Sequence, residues 1–461
     1  MTLLLLLAGC ASFPDAGTSD SPEKPWTPPA NAIPPQQSTQ DIVMPPNVAA
    51  GATLSLAQIV DIALANNTQT RTAWLRARAA QAALGSSESA YLPDVDVTAS
   101  LSRTQSVSPG NSAVRQTTLA PSIALSYLLF DFGGREAQVE QARATMIEAD
   151  YLHNQAIQDV VLRAEQTYYG YLDAKALLAA QTATVKERQA QLDAADARHN
   201  AGVATIADVL QAKTALSQAQ LTSETIEGNL RAIEGSLATV MGLPATAHFE
   251  FGDLPQDVPS QEIGQHVDEL IAQAVAARPD LAAARADAQR ARARIAEVRA
   301  QGLPAITLSS SVGHTFYNGG FDGTPYAASI GLRFPLFTGF RNTYDIREAE
   351  AQAAIANETA RSVEQNINLQ VWTSYFALQT AAHRLTTSRD LLASAQQSAD
   401  VAQSRYRAGV GSILDLLTAE SALENARAQE VQARADWFTA VAQLAHDTGK
   451  SESRNQKAEI E

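Results

Sequence analysis

The chain is built twice, and that limits its fold more than any other feature. Arg198–Gln220 reads RHNAGVATIADVLQAKTALSQAQ and Arg405–Arg427 reads RYRAGVGSILDLLTAESALENAR; 11 of these 23 positions are identical without a gap. Tyr168 falls on Tyr375 and Phe130 on Phe337 at the same offset. A repeat this long is no solenoid unit; it is half a protein, and the fold must be assembled from two similar halves.

Each half carries the same succession of patterns. An apolar stripe of helical period begins after Thr53-Leu54-Ser55, with Leu56, Ile59, Val60, Ala63 and Leu64 on one face, runs to about Ala90 and stops at Leu92-Pro93. The same shape returns from His266 to Ala300 and stops at Leu303-Pro304. Longer helices are expected over about 135–200 and 342–407, breaking at Gly202 and Gly409 and resuming over 204–241 and 412–446. A helix of about 65 residues spans roughly 100 Å, far more than a globular domain needs. Its apolar positions are mostly small, with aromatic residues only 6% of the chain. That favours several helices packed side by side as a sheet or tube over an isolated two-stranded coil.

Between the helices the period changes from 3.6 to 2, at equivalent places in both halves. Strands are expected near 94–103, 118–129, 305–316 and 327–337. In the first, Val95, Val97, Ala99 and Leu101 alternate with Asp96, Thr98, Ser100 and Ser102; in the last, Ile330, Leu332, Phe334 and Leu336 alternate with Ser329, Gly331 and Arg333. Taken singly, each is an ordinary half-buried strand. As a set of about 9–11-residue segments in two pairs, they have the length that crosses an outer membrane when tilted. The polar, turn-rich stretches 104–116 and 317–325 join the members of each pair. Four strands cannot close a barrel, and lipid forbids open edges, so membrane strands here require several copies of the chain.

The N-terminal segment MTLLLLLAGC places five leucines and two small residues before Cys10, the only cysteine. It is shorter than a full secretory signal and lacks the basic front end, so residues 1–9 read as an incomplete signal peptide. Residues 10–52 form a proline-rich leash: nine of the 19 prolines lie within residues 14–46. The halves then occupy 53–250 and 266–448, with a linker at 251–265 and a polar tail at 449–461.

Other classes are weak. The net charge of −15, with no offsetting basic patch, argues against nucleic acid. A single cysteine excludes an internal disulfide, and the seven scattered histidines form no metal-ligand spacing. Gly133-Gly134 lacks the lysine of a phosphate loop and reads instead as the turn from a strand into a helix. There is no nucleophile elbow, so no enzyme is expected, and no catalytic, cofactor or metal residue is assigned. A periplasmic coiled-coil structural or adaptor protein is the alternative of a different class.

The motifs Tyr91-Leu92-Pro93, Leu129-Phe130-Asp131-Phe132-Gly133-Gly134-Arg135 and Phe334-Pro335-Leu336-Phe337-Thr338-Gly339-Phe340, with the two AGV-x-x-I-x-D-x-L segments at Ala201–Leu210 and Ala408–Leu417, together resemble the TolC family of outer membrane factors over about residues 53–448. Leu7-Ala8-Gly9-Cys10 resembles the lipobox of the lipidated members. The resemblance implies a mixed α and β membrane protein: a homotrimer with a 12-stranded outer membrane β-barrel continued by a periplasmic α-helical barrel. It implies no cofactor beyond covalent lipid on Cys10. It also implies a periplasmic adaptor and a proton-driven inner membrane transporter as partners, in passive efflux of drugs or other small solutes. A type I secretion exit channel is the alternative within the family. The hairpin tips Gly202, Val203, Gly409 and Val410 would meet the adaptor. Asp208 and Asp415 would ring the periplasmic gate with mutually raised carboxylate pKa values, and Arg405 and Tyr406 would supply the closing contacts. A further family aspartate is replaced here by Thr418. From spacing alone, both aspartates also read as helix caps.

Overall fold

The computed structural model describes residues 53–106, 114–256, 258, 266–318, 320 and 322–450. Cys10 and the proline-rich leash lie outside the described residues. In order, the elements are β1 (Thr53–Leu54), α1 (Leu56–Asn66), α2 (Thr68–Glu88), β2 (Asp94–Ser106), β3 (Val114–Phe130), α3 (Gly134–Asn200), α4 (Ile206–Val240), β4 (Glu250–Phe251), α5 (Val267–Ala277), α6 (Pro279–Ala300), β5 (Ala305–Gly313), β6 (Phe316–Tyr317), β7 (Tyr326–Arg333), α7 (Arg341–Arg407) and α8 (Ile413–Asp447).

The duplication is exact in helix length. Helices α3 and α7 each have 67 residues, and α4 and α8 each have 35. At about 1.5 Å per residue the long pair each span roughly 100 Å. Helix α3 packs on α2 and α4 and also on α6 and α8, while α7 packs on α6 and α8. The helices therefore form a layer four across. One edge is the α2/α4 pair end to end, then come α3 and the α6/α8 pair, and α7 is the other edge. No helix among the described residues is long and apolar enough to cross a membrane.

Each short helical run of the sequence is in fact two helices, with the chain extended at Asn67 (ψ 131) and at Arg278 (ψ 123). The second break follows from Pro279, which drives the residue before it out of the α region and sits at the first position of α6. The first is made differently: Asn67 accepts from the Gln69 amide at 2.8 Å, capping α2, and donates to the Val240 carbonyl at 3.1 Å. Equivalent glycines abut both breaks. Gly242 (φ +73) would bring a Cβ within 2.6 Å of the Asn66 carbonyl oxygen, and Gly449 (φ +76) within 3.1 Å of the Ala277 Cβ. The main hydrophobic core lies here, where β1 pairs in parallel with β4 and Ile59 and Ile62 pack with Val160, Leu172, Leu237, Met241 and Phe251.

The sheet runs β2-β3-β5-β7 and is antiparallel throughout. Its register separates two faces. Val95 lies opposite Leu125, Val97 opposite Ile123, Ile123 opposite Val312, Leu308 opposite Ile330, and Ile306 opposite Leu332, giving one apolar face. The other face is small and polar. Asp94, Ser126, Ser309 and Ser329 form one row across it, and hydroxyls touch between Thr98 and Ser122 (2.9 Å) and between Ser309 and Ser329 (2.8 Å).

The strand ends differ from those read by alternation. Strand β7 stops at Arg333 rather than 337, because Pro335 has no N–H for a ladder. Strand β5 stops at Gly313 rather than 316, and β6 resumes pairing with β3 in an unbroken register: Ser122 opposes Gly313 and Leu119 opposes Phe316. The gap lies opposite Pro121, which has no donor to offer; its carbonyl accepts from the His314 amide at 3.0 Å. Strands β2 and β3 reach beyond the expected limits, to Ser106 and back to Val114.

Candidate functional site

Each long hairpin turns through a glycine with positive φ. Gly202 (φ +75) and Gly409 (φ +78) follow α3 and α7, and the next amides bond back five residues, Val203 to the Arg198 carbonyl at 2.9 Å and Val410 to the Arg405 carbonyl at 3.0 Å. This is a Schellman end, which satisfies carbonyls the helix leaves unpaired. A Cβ would meet nothing at either glycine, so backbone conformation alone demands it. Val203 and Val410 stand 66% and 69% exposed, so each tip presents an unpaired apolar side chain.

The repeated aspartates start the returning helices. The Thr205 amide donates to Asp208 Oδ2 at 3.1 Å. Asp415 Oδ2 accepts from the Ser412 amide at 3.3 Å, while its own amide donates to Ser412 Oγ at 3.1 Å. These are capping boxes. The hydrogen bonds from Ser412, with the Arg405 charge added, hold the Asp415 carboxyl below the usual carboxylate range. In the single chain Asp415 meets donors rather than a second carboxylate.

Arg405 is exposed, whereas Tyr406 lies buried at the hairpin ends. Tyr406 is buried with Ala195, Val209, Ala212, Ile413 and Leu416, joining the ends of both hairpins. Arg198 lies over its ring at 4.8 Å and donates to its carbonyl at 2.9 Å. Burial pushes the Tyr406 hydroxyl up, with the Arg198 charge opposing and the Asp208 charge adding. That hydroxyl is buried with no hydrogen-bond partner among the described residues. Arg405 forms no ion pair among them and acts on Asp415 only through its field.

Further up the hairpins, Arg188 on α3 is 3% exposed and donates to Glu420 Oε2 on α8 at 2.8 Å and to Ser421 Oγ at 3.3 Å. Gln191 donates to the other Glu420 oxygen. Burial raises the Glu420 pKa, against the Arg188 charge. Arg427 pairs with Glu187 at 3.1 Å nearby. A cleft of about 360 Å³ opens between Glu187, Gln191, Glu420, Arg427, Arg198 and Tyr406. Sequence reading missed this node, although the repeat held a signal: the positions equivalent to Arg188 and Glu420 are Ala395 and Lys213. Among the described residues no cluster of side chains fits a metal ion.

Paired 67-residue helices, hairpin ends sealed by glycine, and a four-stranded sheet with one apolar face make an elongated mixed α and β fold: a short β-sheet region on a long helical bundle. The chain belongs to the outer membrane efflux protein family, whose model matches residues 59–243 and 270–450. It is 31% identical to protein CyaE of Bordetella pertussis, over 82% of this chain and 80% of that one. It is 25% identical to outer membrane protein TolC of Escherichia coli, over 83% and 80%. Its fold matches that of the solved outer membrane protein VceC of Vibrio cholerae with a TM-score of 0.76 at 20% identity, covering 86% of this chain and 96% of that one. As a member of this family the chain is an outer membrane exit duct of a tripartite efflux system, with a long periplasmic helical extension. It works with a periplasmic adaptor and an inner membrane transporter and does no covalent chemistry.

Proposed function

We propose that three copies close into one passive channel: a 12-stranded barrel in the outer membrane, running into a tube of helices. The observation that carries this reading is the pair of open edges at each level. Among the described residues, strands β2 and β7 each have one unpaired side in a sheet whose apolar face suits lipid, and α2/α4 and α7 are the matching edges of the helical layer. Every unpaired backbone group costs several kcal/mol in hydrocarbon, so such a sheet is stable in lipid only when closed. The small polar face then lines the lumen, where Ser, Thr and Ala favour general passage of small solutes over tight recognition.

The hairpin ends form the periplasmic mouth. Asp208 and Asp415 contribute up to six carboxylates around the axis as well as capping their helices, and Val203 and Val410 at the tips dock the adaptor. Cys10, cleaved free of residues 1–9 and acylated, adds a lipid anchor through the proline-rich leash. Crosslinkers placed at Val203 and Val410 test the docking surface. Capture of the adaptor there supports it, and capture only at the strand-bearing end contradicts it. Intact mass of membrane-extracted protein tests the anchor: an acylated chain beginning at Cys10 is expected, and an unmodified chain retaining Met1 contradicts it.

A further inference from the structure

Two edges of the helical layer are bare where their counterparts in the other repeat are covered. Ile413 on α8 is 5% exposed and its equivalent on α4, Ile206, is 56% exposed; Thr184 on α3 is 4% exposed and its equivalent on α7, Leu391, is 43% exposed. The helices are equal in length, so their positions correspond one for one. What differs is the neighbour. Helices α3 and α8 pack on each other inside the chain, whereas α7 and α4 share no such contact in the single chain among the described residues. The bare positions on α4 recur at helical spacing as one stripe: Ile206, Leu210, Lys213, Leu221, Gly228 and Arg231. Every equivalent position on α8 is buried or half-buried.

When three copies close, α7 of one copy lies against α4 of the next, a contact that rests on the closure proposed above. The α3–α8 seam inside the chain is then the template for it. Carried to the sheet, the same template pairs apolar with apolar. The pairs Ile123–Val312, Tyr127–Leu308 and Phe130–Ile306 across β3 and β5 become Ile330–Leu101, Phe334–Val97 and Phe337–Val95 between copies. All six of these side chains are large, apolar and exposed in the single chain.

On the helices the chemistry changes from one seam to the other. Inside the chain Tyr169 stacks on Phe438, with ring centroids 5.0 Å apart and planes 12° from parallel; one turn away Glu165 and Ala442 line the same small cleft. The equivalents between copies are Phe376 with Arg231 and Trp372 with Gly235. Trp372 and Phe376 are both exposed, with their rings 4.8 Å apart. Arg231 is exposed and pairs with Glu227 on its own helix; a guanidinium is attracted to an aromatic face. Gly235 stands inside α4, where glycine weakens a helix. It has no positive φ, and a Cβ there would lie at ordinary contact distance, 3.5 Å from the Ala245 carbonyl oxygen. Neither backbone nor space within the chain requires glycine at 235, and its counterpart on α8 is alanine. The larger Trp372 in place of Glu165 is matched by the smaller Gly235 in place of Ala442.

We propose that Trp372 seats on Gly235 of the next copy, with Phe376 against Arg231 one turn on, and that this patch anchors the helical seam between copies. The two kinds of seam are then chemically distinct. The buried Arg188–Glu420 pair holds the seam within each chain. Its equivalents between chains are Ala395 and Lys213, which form no ion pair with each other, and there the aromatic patch takes over.

Two measurements on the full chain test the anchor. In a Cys10→Ser background, Thr373→Cys with Ser236→Cys takes the places equivalent to Gln166 and Gln443, whose side chains meet at 2.9 Å. A short bismaleimide is expected to link them into a covalent ladder ending at the trimer. Thr373→Cys with Asn229→Cys, about two turns along α4, is expected to give little. Separately, Arg231→Glu, at a side chain exposed in the single chain, is expected to lower the trimer-to-monomer ratio about tenfold with helix content unchanged by circular dichroism. Gly235→Leu is expected to lower it similarly by filling the seat, and adding Trp372→Ala to recover most of the loss. A ladder from Asn229 alone, an Arg231→Glu ratio equal to wild type, or a Gly235→Leu loss that Trp372→Ala leaves untouched overturns the anchor while a trimeric wild type stands. Should Gly235→Leu lose helix content, Arg231→Glu decides alone. A wild type that is monomeric in every detergent overturns the anchor together with the closure beneath it.

Discussion

The guanidinium of Arg188 reaches across the boundary between the two repeats and donates to the Glu420 carboxylate at 2.8 Å, with both side chains almost wholly buried. Removing one partner of such a pair strands a charge out of water. Arg188→Ala is expected to destabilise the fold by about 3–5 kcal/mol, whereas replacing both residues with apolar side chains of similar volume is expected to cost far less. Denaturant unfolding of the detergent-solubilised variants checks this. Equal losses for the single and double changes would mean that the pair contributes through packing alone.

Gly242 and Gly202 both have positive φ but differ in surroundings. A methyl at Gly202 meets open space, so Gly202→Ala is expected to cost only the backbone strain, about 1 kcal/mol. A methyl at Gly242 runs into the Asn66 carbonyl, so Gly242→Ala is expected to cost clearly more and to loosen the break between α1 and α2. Thermal unfolding of the two variants side by side gives the order.

His446 supplies a pH dependence. Burial alone would lower its pKa, but hydrogen bonds to Asp159 at 3.0 Å and Asp447 at 3.1 Å outweigh burial and raise it to about 9 from an ordinary 6.5. Arg278, paired with Asp280 and Asp447, faces the same cluster and works against the rise. A histidine whose folded pKa exceeds its unfolded value takes up a proton on folding. Its contribution is therefore fully present below about pH 6.5 and is lost as pH rises through about 9. The joint between α3, α8 and the α5/α6 break is expected to loosen over that window, and His446→Gln to flatten the dependence. Stability measured from pH 6 to pH 10 decides it; an unchanged slope in the variant contradicts the assignment.

The proposed gate would turn on charge rather than on capping. Asp208→Asn with Asp415→Asn retains the capping ability of both positions and removes up to six charges from the mouth. Reduced cation selectivity and a changed pH response of single-channel current are expected, with the trimer intact. Unchanged current, selectivity and pH response would leave the aspartates as caps only.

Much of this architecture was legible in the sequence because it rests on period. The switch from 3.6 to 2 at Pro93 and Pro304 marks where helix gives way to strand, and the glycines at 202 and 409 mark the hairpin ends within a few residues. The break at Arg278-Pro279 could have been read from proline chemistry. Its counterpart at Asn67 was less plain: the cap is local, the side chain accepting from the Gln69 amide, but an asparagine inside an apolar helical stripe stands out only once its amide is seen bonded to the distant Val240 carbonyl. The Arg188–Glu420 node was hidden for a related reason. Its partners are more than 200 residues apart, and only their failure to repeat, as Ala395 and Lys213, sets them apart from any charged helix face. Arg198 over Tyr406 is also a contact between repeats, whereas Arg405, the sequence neighbour, carried the expectation.

Closure of three chains into one conducting tube is the claim on which the lumen, the mouth and the seam all depend. Purified full-length protein, reconstituted into a planar bilayer after its mass is determined in detergent, tests it directly. The expected result is a three-chain particle that gives discrete, uniform conductance steps. A one-chain particle that leaves the bilayer silent would contradict it.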